Sequence, residues 1–237
     1  KPAHVFVENV PGIRGKGKQV IDSFISVLEK SGYLYDYKVV NAKDYGVPQN
    51  RQRFVLIASR FFKPTIPEGT FGAGKTPYRT VRDAIAKFPE ISAGGHNDSV
   101  PNHQASALSA INLERIQHTP HSGGDRRSWP PRLILKCHNN GHTGHTDVYG
   151  RMDWDKVAPT LTARCYSLSN GRYGHPTQDR AISLREAAAL QSFSDEYVFY
   201  GTFVSIGRQI GNAVPVKMAE AMGKYIVRSA KNAMLSE

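Results

Sequence analysis

The chain has 237 residues, of which 40% are hydrophobic, so it is long enough for one large globular domain or two small ones. It contains no run of about 18 apolar residues, which excludes a membrane-spanning helix, and its first residues show no signal-peptide cleavage pattern. Its two cysteines stand in unrelated contexts, which indicates free thiols and a reducing compartment. We therefore expect a cytoplasmic protein with no membrane partner.

The net charge is +11, and it is concentrated in the first part of the chain. Residues 1–88 hold 15 lysines and arginines against 7 acidic residues, whereas residues 89–175 hold 9 against 7 and residues 176–237 hold 7 against 6. A basic surface attracts polyanions and makes their binding dependent on salt. Charge alone also allows a basic protein with no nucleic-acid role.

Residues 1–88 alternate between strand and helix patterns, as expected for the edge of a twisted α/β sheet. The patterns predict a strand over 5–10, a helix over 19–31, and strands over 37–41 and 54–59. The last strand is an apolar run whose length and branching are typical of a buried parallel strand. Glu8 and Asn9 lie at the end of the first strand, and in open α/β sheets ligands bind at strand ends.

Just before the apolar run, Gln49, Arg51 and Arg53 form a Gln-x-Arg-x-Arg triplet. Residues two apart on an extended segment point to the same face, so the two guanidiniums converge. Converging guanidiniums are costly unless they meet carboxylates, phosphates or a base edge. The triplet therefore indicates a binding site, and the alternative is a pair of solvated arginines beside an edge strand.

The middle of the chain, residues 89–175, has weak periodicity, many turn residues and eight of the nine histidines. Short strand patterns occur at 132–137 and 160–163, so we predict an irregular, mostly β module inserted between two parts of the α/β domain. Helix patterns lie outside this module at 81–88, at 183–193 after a capping box, and at 214–230.

Four blocks follow one another in a fixed order along the chain. They are Glu8-Asn9-Val10, the triplet at 49–53, Arg185-Glu186-Ala187-Ala188-Ala189-Leu190-Gln191, and Gly211-Asn212-Ala213-Val214. Together, with a long variable region between the second and the third, they resemble the later signature motifs of the cytosine-5 DNA methyltransferases. Either short block alone is a weak signal, but all four in register are specific, and the resemblance covers nearly the whole chain.

Two motifs of that family have no counterpart in this sequence. One is the glycine-rich loop that binds S-adenosylmethionine, and the other is the Pro-Cys dipeptide that supplies the nucleophile. Cys137 and Cys165 are the only cysteines, and neither follows a proline. We therefore expect the C-terminal portion of such an enzyme: a truncated reading, an expressed piece or one subunit of a split methyltransferase. A missing N-terminal half or a partner subunit would carry the Pro-Cys motif.

The resemblance also implies a fold and a division into domains. The fold would be α/β, a partial Rossmann-like sheet of the S-adenosylmethionine-dependent methyltransferases, with an inserted irregular, mostly β target-recognition domain. Residues 1–88 would be the C-terminal part of the catalytic domain, and residues 89–175 would be the target-recognition domain. Residues 176–237 would be helices that return to the catalytic domain.

In this family a cysteine thiolate adds to carbon 6 of a cytosine that has left the DNA helix, and the methyl group then moves to carbon 5. By resemblance, Glu8 bonds or protonates the ring nitrogen at position 3. Arg53 contacts the cytosine carbonyl oxygen and stabilises its growing negative charge. Arg51 is then a structural or phosphate-side partner, and Gln49 positions substrate.

The methyl donor implied by the resemblance is S-adenosylmethionine, and Asn212 and Ala213 would help to close its pocket. An ordinary helix N-cap by Asn212 is the alternative for this block. The implied substrate is double-stranded DNA, with Thr160 donating to a phosphate and Arg164 reaching a phosphate or a guanine edge. The alternative is an ordinary threonine-rich strand.

Cys137, His138, His142 and His145 have the residue types of a zinc site, but the glycines and asparagines between them favour a loop, so we expect no metal. The leading hypothesis is the C-terminal part of a prokaryotic cytosine-5 DNA methyltransferase of a restriction-modification system, inactive alone and associated with the nucleoid through DNA. The alternatives are a non-catalytic DNA-binding module and a tRNA methyltransferase of the same family, although the long inserted region favours duplex DNA.

Overall fold

The structure is a computed structural model that describes residues 1–138 and 147–235. It divides into two compact units. The first comprises Lys1–Tyr78 and Val214–Glu237, and the second comprises Arg79–Ala213. In the part of the chain that is described, no helix combines the length and the apolar character that crossing a membrane requires.

The first unit contains a three-stranded sheet with the order β1-β3-β2. The strands are β1 (His4–Asn9), β2 (Leu34–Asn41) and β3 (Gln52–Ser59). β3 is antiparallel to both neighbours, so the prediction of a parallel strand is wrong. The error has a physical reason, because a continuous apolar run reports burial on both faces and not the direction of the neighbouring strands.

Both faces of β3 are covered by a helix. These are α1 (Lys18–Lys30) and α6 (Val216–Met234). Successive side chains of β3 point to opposite faces of the sheet, so each helix packs against alternate residues of the strand. On one face, Phe54, Leu56 and Ala58 pack with Ile21 and Leu28 of α1. On the other face, Val55 and Ile57 pack with Met218 and Met222 of α6. The predicted order of strand, helix, strand and strand is therefore confirmed, with helix and strand bounds within a few residues of those predicted.

The second unit contains four α-helices, several short 3₁₀ helices and no strand among its described residues. The helices are α2 (Val81–Ile85), α3 (Ala110–Gln117), α4 (Leu184–Leu190) and α5 (Phe203–Asn212). The prediction of a mostly β module is wrong here. Residues 132–137 fall largely within the short 3₁₀ helices Pro131–Leu133 and Lys136–His138, and residues 160–163 run without a strand partner. Side chains satisfy backbone groups that a ladder would pair: Arg115 Nε donates to Leu133 O at 3.0 Å, and Tyr173 OH donates to Thr160 O at 2.9 Å.

Three fully buried arginines hold the second unit together. Arg151, Arg180 and Arg185 are each 0% exposed. Arg151 donates to four backbone carbonyls and ion-pairs with Asp179, and Arg185 donates to three backbone carbonyls. The described residues of this unit form no sheet, so these guanidiniums donate to buried carbonyls that backbone N–H groups would pair with in a sheet.

α4 is the most deeply buried helix of the second unit. It begins with a capping box, in which Ser183 Oγ accepts from Glu186 N at 3.0 Å and Glu186 Oε2 accepts from Ser183 N at 2.7 Å. All seven of its residues are buried. α4 and α5 belong to the same unit as the middle segment, whereas the prediction assigned residues 176–237 to the catalytic domain. The functional boundaries at 88/89 and 175/176 stay a prediction, while the α/β class is confirmed.

Candidate functional site

Glu8 and Arg53 meet on one face of the sheet in the first unit. Glu8 lies directly opposite Val55 in the β1–β3 register, and Arg53 stands two residues before Val55, so the two side chains are diagonal neighbours. Arg53 Nε lies 2.7 Å from Glu8 Oε1, and the two side chains are only 11% and 16% exposed. The structure therefore joins an acid from the first sequence block to an arginine from the second.

This ion pair leaves hydrogen-bonding capacity unused on both sides. The Arg53 Nε–H does not point at Glu8 Oε1, and that oxygen has no aligned hydrogen-bond donor among the described residues. Arg53 Nη1 donates to Gln52 O at 2.7 Å, and Nη2 has no acceptor in residues 1–138 and 147–235. A carboxyl and a guanidinium that are fixed in place but incompletely bonded can still receive a polar ligand.

The other two members of the triplet are also buried. Gln49 is 0% and Arg51 is 2% exposed, and Arg51 Nη1 lies 3.5 Å from Gln49 Oε1. Arg53 is 9% exposed, so the alternative of two solvated arginines is wrong. The position of these side chains is set by the turn before β3. It consists of a 3₁₀ helix, Ala42–Tyr45, that ends at Gly46 with a φ of +80°, a left-handed conformation that glycine adopts without strain.

Asn41, at the end of β2, connects that turn to the triplet and was not singled out from the sequence. Its Oδ1 accepts from Arg51 N at 3.0 Å and from Lys43 N at 3.4 Å, and its Nδ2 donates to Asn50 Oδ1 at 2.7 Å. A signal was present in the sequence, since an asparagine between a strand and a turn often caps the turn with its own side chain. Asn41 therefore positions the backbone from which Arg51 projects.

The block Gly211-Asn212-Ala213 lies at the end of α5, in the second unit. Asn212 is the last residue of that helix and is exposed, and Ala213 follows it half-buried. The alternative of an N-cap by Asn212 is wrong, because the residue ends a helix and does not begin one. Gly211 is inside α5, where an added Cβ would lie 2.1 Å from Thr162 O, so this glycine permits a close contact between two segments.

Thr160 and Arg164 lie on one irregular segment of the second unit, in which residues 163–166 form a turn. Both are exposed, whereas Leu161 and Cys165, between and after them, are 1% and 0% exposed and belong to the core that α2, α4 and α5 share. The segment is thus anchored by two inward side chains and presents polar side chains outward. The alternative of an ordinary strand is wrong for this segment, because no strand pairs with it in the described ranges.

His142 and His145, two of the four residues that were considered as zinc ligands from the sequence, lie outside the described residues. Within the described ranges, no group of three or more histidine, cysteine, aspartate or glutamate side chains is arranged to hold a metal ion. The expectation of no metal stays a prediction.

Fold and site together define an α/β protein with a buried acid–guanidinium pair on its sheet and a separate loop-rich unit stabilised by arginines. Comparison with known proteins gives the family. The chain matches the family of C-5 cytosine-specific DNA methylases over residues 1–228, and it belongs to that family. S-adenosylmethionine is the methyl donor of these enzymes.

Two curated relatives are type II restriction-modification methylases. The chain is 45% identical to the type II methylase M.HgiDII of Herpetosiphon aurantiacus, over 98% of its own length and 65% of the relative. It is 37% identical to the type II methyltransferase M1.HphI of Haemophilus parahaemolyticus, over 86% of its length and 51% of the relative. The chain therefore spans only part of the length of these relatives.

A solved structure supports the fold alone. A crystal structure of a proposed DNA modification methyltransferase encoded within an E. coli prophage superposes with a TM-score of 0.63 at 23% identity. The superposition covers 96% of this chain and 69% of that one. The α/β class of the chain is shared with this neighbour.

Proposed function

We propose that this chain is the C-terminal part of a type II DNA (cytosine-5-)-methyltransferase, which methylates carbon 5 of a flipped cytosine within a specific double-stranded DNA sequence. The observation that carries the proposal is the buried Glu8–Arg53 pair, with 2.7 Å between Oε1 and Nε. The completed enzyme is this chain together with the polypeptide that carries the Pro-Cys and glycine-rich motifs.

Glu8 and Arg53 suit two neighbouring polar atoms of a cytosine ring. The Glu8 carboxyl would hydrogen-bond or protonate the ring nitrogen at position 3, which makes carbon 6 more electrophilic and easier for a thiolate to attack. The Arg53 guanidinium, which still has donors on Nη2, would bond the carbonyl oxygen at position 2 and stabilise the negative charge that develops there. Both groups are fixed before the base arrives, so little reorganisation is required.

Gln49 and Arg51 support this pair from the turn before β3. Their buried side chains and the hydrogen bond from Arg51 N to Asn41 Oδ1 give the turn one conformation. Arg51 is the structural or phosphate-side partner in the proposal, and Gln49 positions the base. Groups that contact a reacting base must be held in a precise geometry, and they keep it only when the residues that position them are also rigid.

Asn212 and Ala213 are the residues of this chain that would border S-adenosylmethionine. The exposed amide of Asn212 offers a donor and an acceptor, and the short side chain of Ala213 leaves room beside it, so these two positions fit the edge of a cofactor pocket. They are too few to form the whole pocket. When bound, S-adenosylmethionine supplies the electrophilic methyl group.

Thr160 and Arg164 would bind the DNA. Both are exposed on a segment that is anchored by buried neighbours, and their chemistry suits a phosphate and a phosphate or guanine edge. The net charge of +11 provides long-range attraction to the duplex, and the affinity should therefore fall as salt is raised.

The proposal that further polypeptide completes the enzyme is supported by the cysteines. Cys165 is 0% exposed and lies in the core of the second unit, so its thiol cannot reach an external base. Cys137 is exposed but belongs to the same second unit and follows lysine. β1 has a strand neighbour on one side only among the described residues, which leaves an edge that another strand can extend.

A non-catalytic DNA-binding module is the second candidate, and the lack of a Pro-Cys nucleophile in this chain favours it. The two candidates differ in one observable. If a polypeptide with the Pro-Cys and glycine-rich motifs is encoded upstream or co-purifies, the enzyme is favoured. A chain that binds DNA in the absence of any such polypeptide favours the module.

The test is methyl transfer by the completed enzyme with Glu8→Gln. The substitution keeps the shape of the side chain but removes its acid, so we expect turnover to fall by at least about 100-fold while DNA binding is retained. Glu68→Gln is the matched control, because Glu68 is a 75% exposed partner of Lys38 in the same unit. Full turnover by the Glu8 variant contradicts the role of Glu8. Methyl transfer by this chain alone contradicts its dependence on further polypeptide.

A further inference from the structure

α5 lies against residues 162–166 at a distance that only glycine permits. Gly207 and Gly211 are four residues apart and face the same side of the helix. A Cβ on Gly211 would lie 2.1 Å from Thr162 O, and a Cβ on Gly207 would lie 2.4 Å from Cε1 of the Tyr166 ring. Since real Cβ atoms do not approach so closely, the two glycines set the spacing between the helix and the segment.

The same segment is held by two hydroxyl groups. Tyr173, which is 2% exposed, donates from its OH to Thr160 O at 2.9 Å. Ser106 donates from its Oγ to Tyr166 O at 2.7 Å. Both ends of residues 160–166 are therefore fixed by side chains that donate to their backbone carbonyls.

We propose that Tyr173 and the glycine face of α5 are positioning groups that hold residues 160–166 in a DNA-binding conformation, and so set sequence discrimination without touching DNA. The inference rests on the proposed function only in taking Thr160 and Arg164 as DNA contacts. A segment that is ordered in advance loses less conformational entropy on binding, and a displaced segment misplaces both contacts. Sequence-specific binding requires exact placement of these contacts, whereas non-specific electrostatic attraction to DNA does not.

The first test is Tyr173→Phe in the completed enzyme. The probe is a DNA duplex selected from a randomised library by the unchanged enzyme, compared with a duplex of unrelated sequence. Loss of the Tyr173 hydroxyl, which bonds Thr160 O and also lies 3.4 Å from Thr162 Oγ1, should lower the ratio of specific to non-specific affinity about fivefold. It should also speed hydrogen–deuterium exchange in residues 160–166. The matched control is Tyr33→Phe, where another buried tyrosine donates to a backbone carbonyl, that of Pro2, in the first unit. It should change neither quantity.

The second test compares two glycines in helices. Gly211→Ala should speed exchange in residues 160–166 and reduce discrimination, whereas Gly223→Ala in α6 should do neither, because an added Cβ there has nothing within 4 Å. If Gly211→Ala does not fold, Gly207→Ala replaces it. The atoms nearest to its methyl group are Cε1 and Cδ1 of the Tyr166 ring, at 2.4 and 2.5 Å, followed by Ala163 O at 3.5 Å. The double variant with Tyr166→Ala removes the closest of these contacts and should therefore regain slow exchange.

The outcomes separate this inference from the proposed function. Faster exchange with reduced discrimination supports the inference. Unchanged exchange in Tyr173→Phe and in the glycine variants overturns it, and so does faster exchange with unchanged discrimination. An unchanged enzyme that selects no duplex contradicts the proposed function, and faster exchange in Tyr173→Phe would then still support the positioning of residues 160–166.

Discussion

Arg180 and Glu186 form a two-pronged ion pair in the interior of the second unit. Arg180 Nη1 and Nη2 lie 2.7 Å from Glu186 Oε2 and Oε1, and the two side chains are 0% and 1% exposed. Burial would raise the pKa of Glu186, but the hydrogen bonds and the charge of Arg180 outweigh burial and hold that pKa below its usual value. The Glu186 carboxyl is therefore ionised at neutral pH, and its ion pair with Arg180 fixes the start of α4.

Removing one partner of this pair should be strongly destabilising. Arg180→Met leaves the Glu186 carboxylate buried without its cation, and we expect a loss of about 3–5 kcal/mol in the free energy of unfolding. Arg82→Met is the matched control, because Arg82 also bonds a carboxylate twice, but its pair with Asp155 is 52% and 73% exposed. That variant should lose far less stability, because solvent screens an exposed pair. Urea unfolding measures both, and equal losses would contradict the assignment of α4 stability to the buried pair.

His175, next to this pair, should make the second unit sensitive to acid. Burial lowers the pKa of His175 from 6.5 to about 4, although the Glu186 carboxylate opposes the shift, so the ring is neutral at pH 7 and accepts from Thr177 N and Gln178 N through Nδ1. The unfolded chain binds a proton near pH 6.5 that the folded chain binds only near pH 4. Stability is therefore intact above pH 6.5 and falls as the pH drops from 6.5 to 4.

The expected loss over that range is about 3 kcal/mol, from 1.36 kcal/mol per pKa unit. His175→Asn has no group that titrates in this range, and we expect its free energy of unfolding to change less between pH 6.5 and 4. Unfolding by urea at a series of pH values measures the slope, with the values at pH 8 as the internal reference. Equal slopes for the two proteins would show that other groups are responsible.

Asn41 should be required for the geometry of the triplet. Asn41→Leu removes the acceptor of two backbone N–H groups, those of Arg51 and Lys43, and should cost about 1–3 kcal/mol of stability. It should also reduce turnover by the completed enzyme, since the Arg51 N–H loses its acceptor. Asn41→Asp keeps the acceptor oxygen and should retain most of the activity. A Leu variant as active as the Asp variant would show that the turn keeps its conformation without Asn41.

Arg53 should not be replaceable by lysine. The ammonium of lysine is a point charge and cannot at once bond Gln52 O, face Glu8 and offer a planar donor to a carbonyl oxygen. We expect Arg53→Lys to lower turnover of the completed enzyme by about 100-fold, as for loss of one donor to a developing oxyanion. Arg60→Lys, at an exposed position just after β3, is the control. Turnover within a few-fold of normal for Arg53→Lys would contradict the proposed contact.

The sequence predicted the elements of the first unit and, in the second unit, the helices α2 and α4, but not the remaining structure of the second unit. In the first unit, helices and strands are buried against a sheet, and this burial produces the apolar periodicity from which they were predicted. The apolar run of β3 does not indicate whether its neighbours are parallel or antiparallel, so that prediction failed. In the second unit, carbonyls are satisfied by buried arginines and hydroxyls, which have no periodicity. α3 was not predicted, and α5 was overlooked because Gly207 and Gly211 look like breaks in a helix pattern, whereas they are its packing surface.

The sequence by itself determined the family, through four motifs in a fixed order, because those motifs are local groups of residues whose types are dictated by chemistry. Only the tertiary structure decided that Glu8 meets Arg53, that Asn41 holds Arg51, and that α5 supports residues 160–166. Each of these is a contact between residues about 10 to 50 positions apart. Such contacts depend on strand register and on how closely two backbones approach, and neither quantity is encoded in a local pattern.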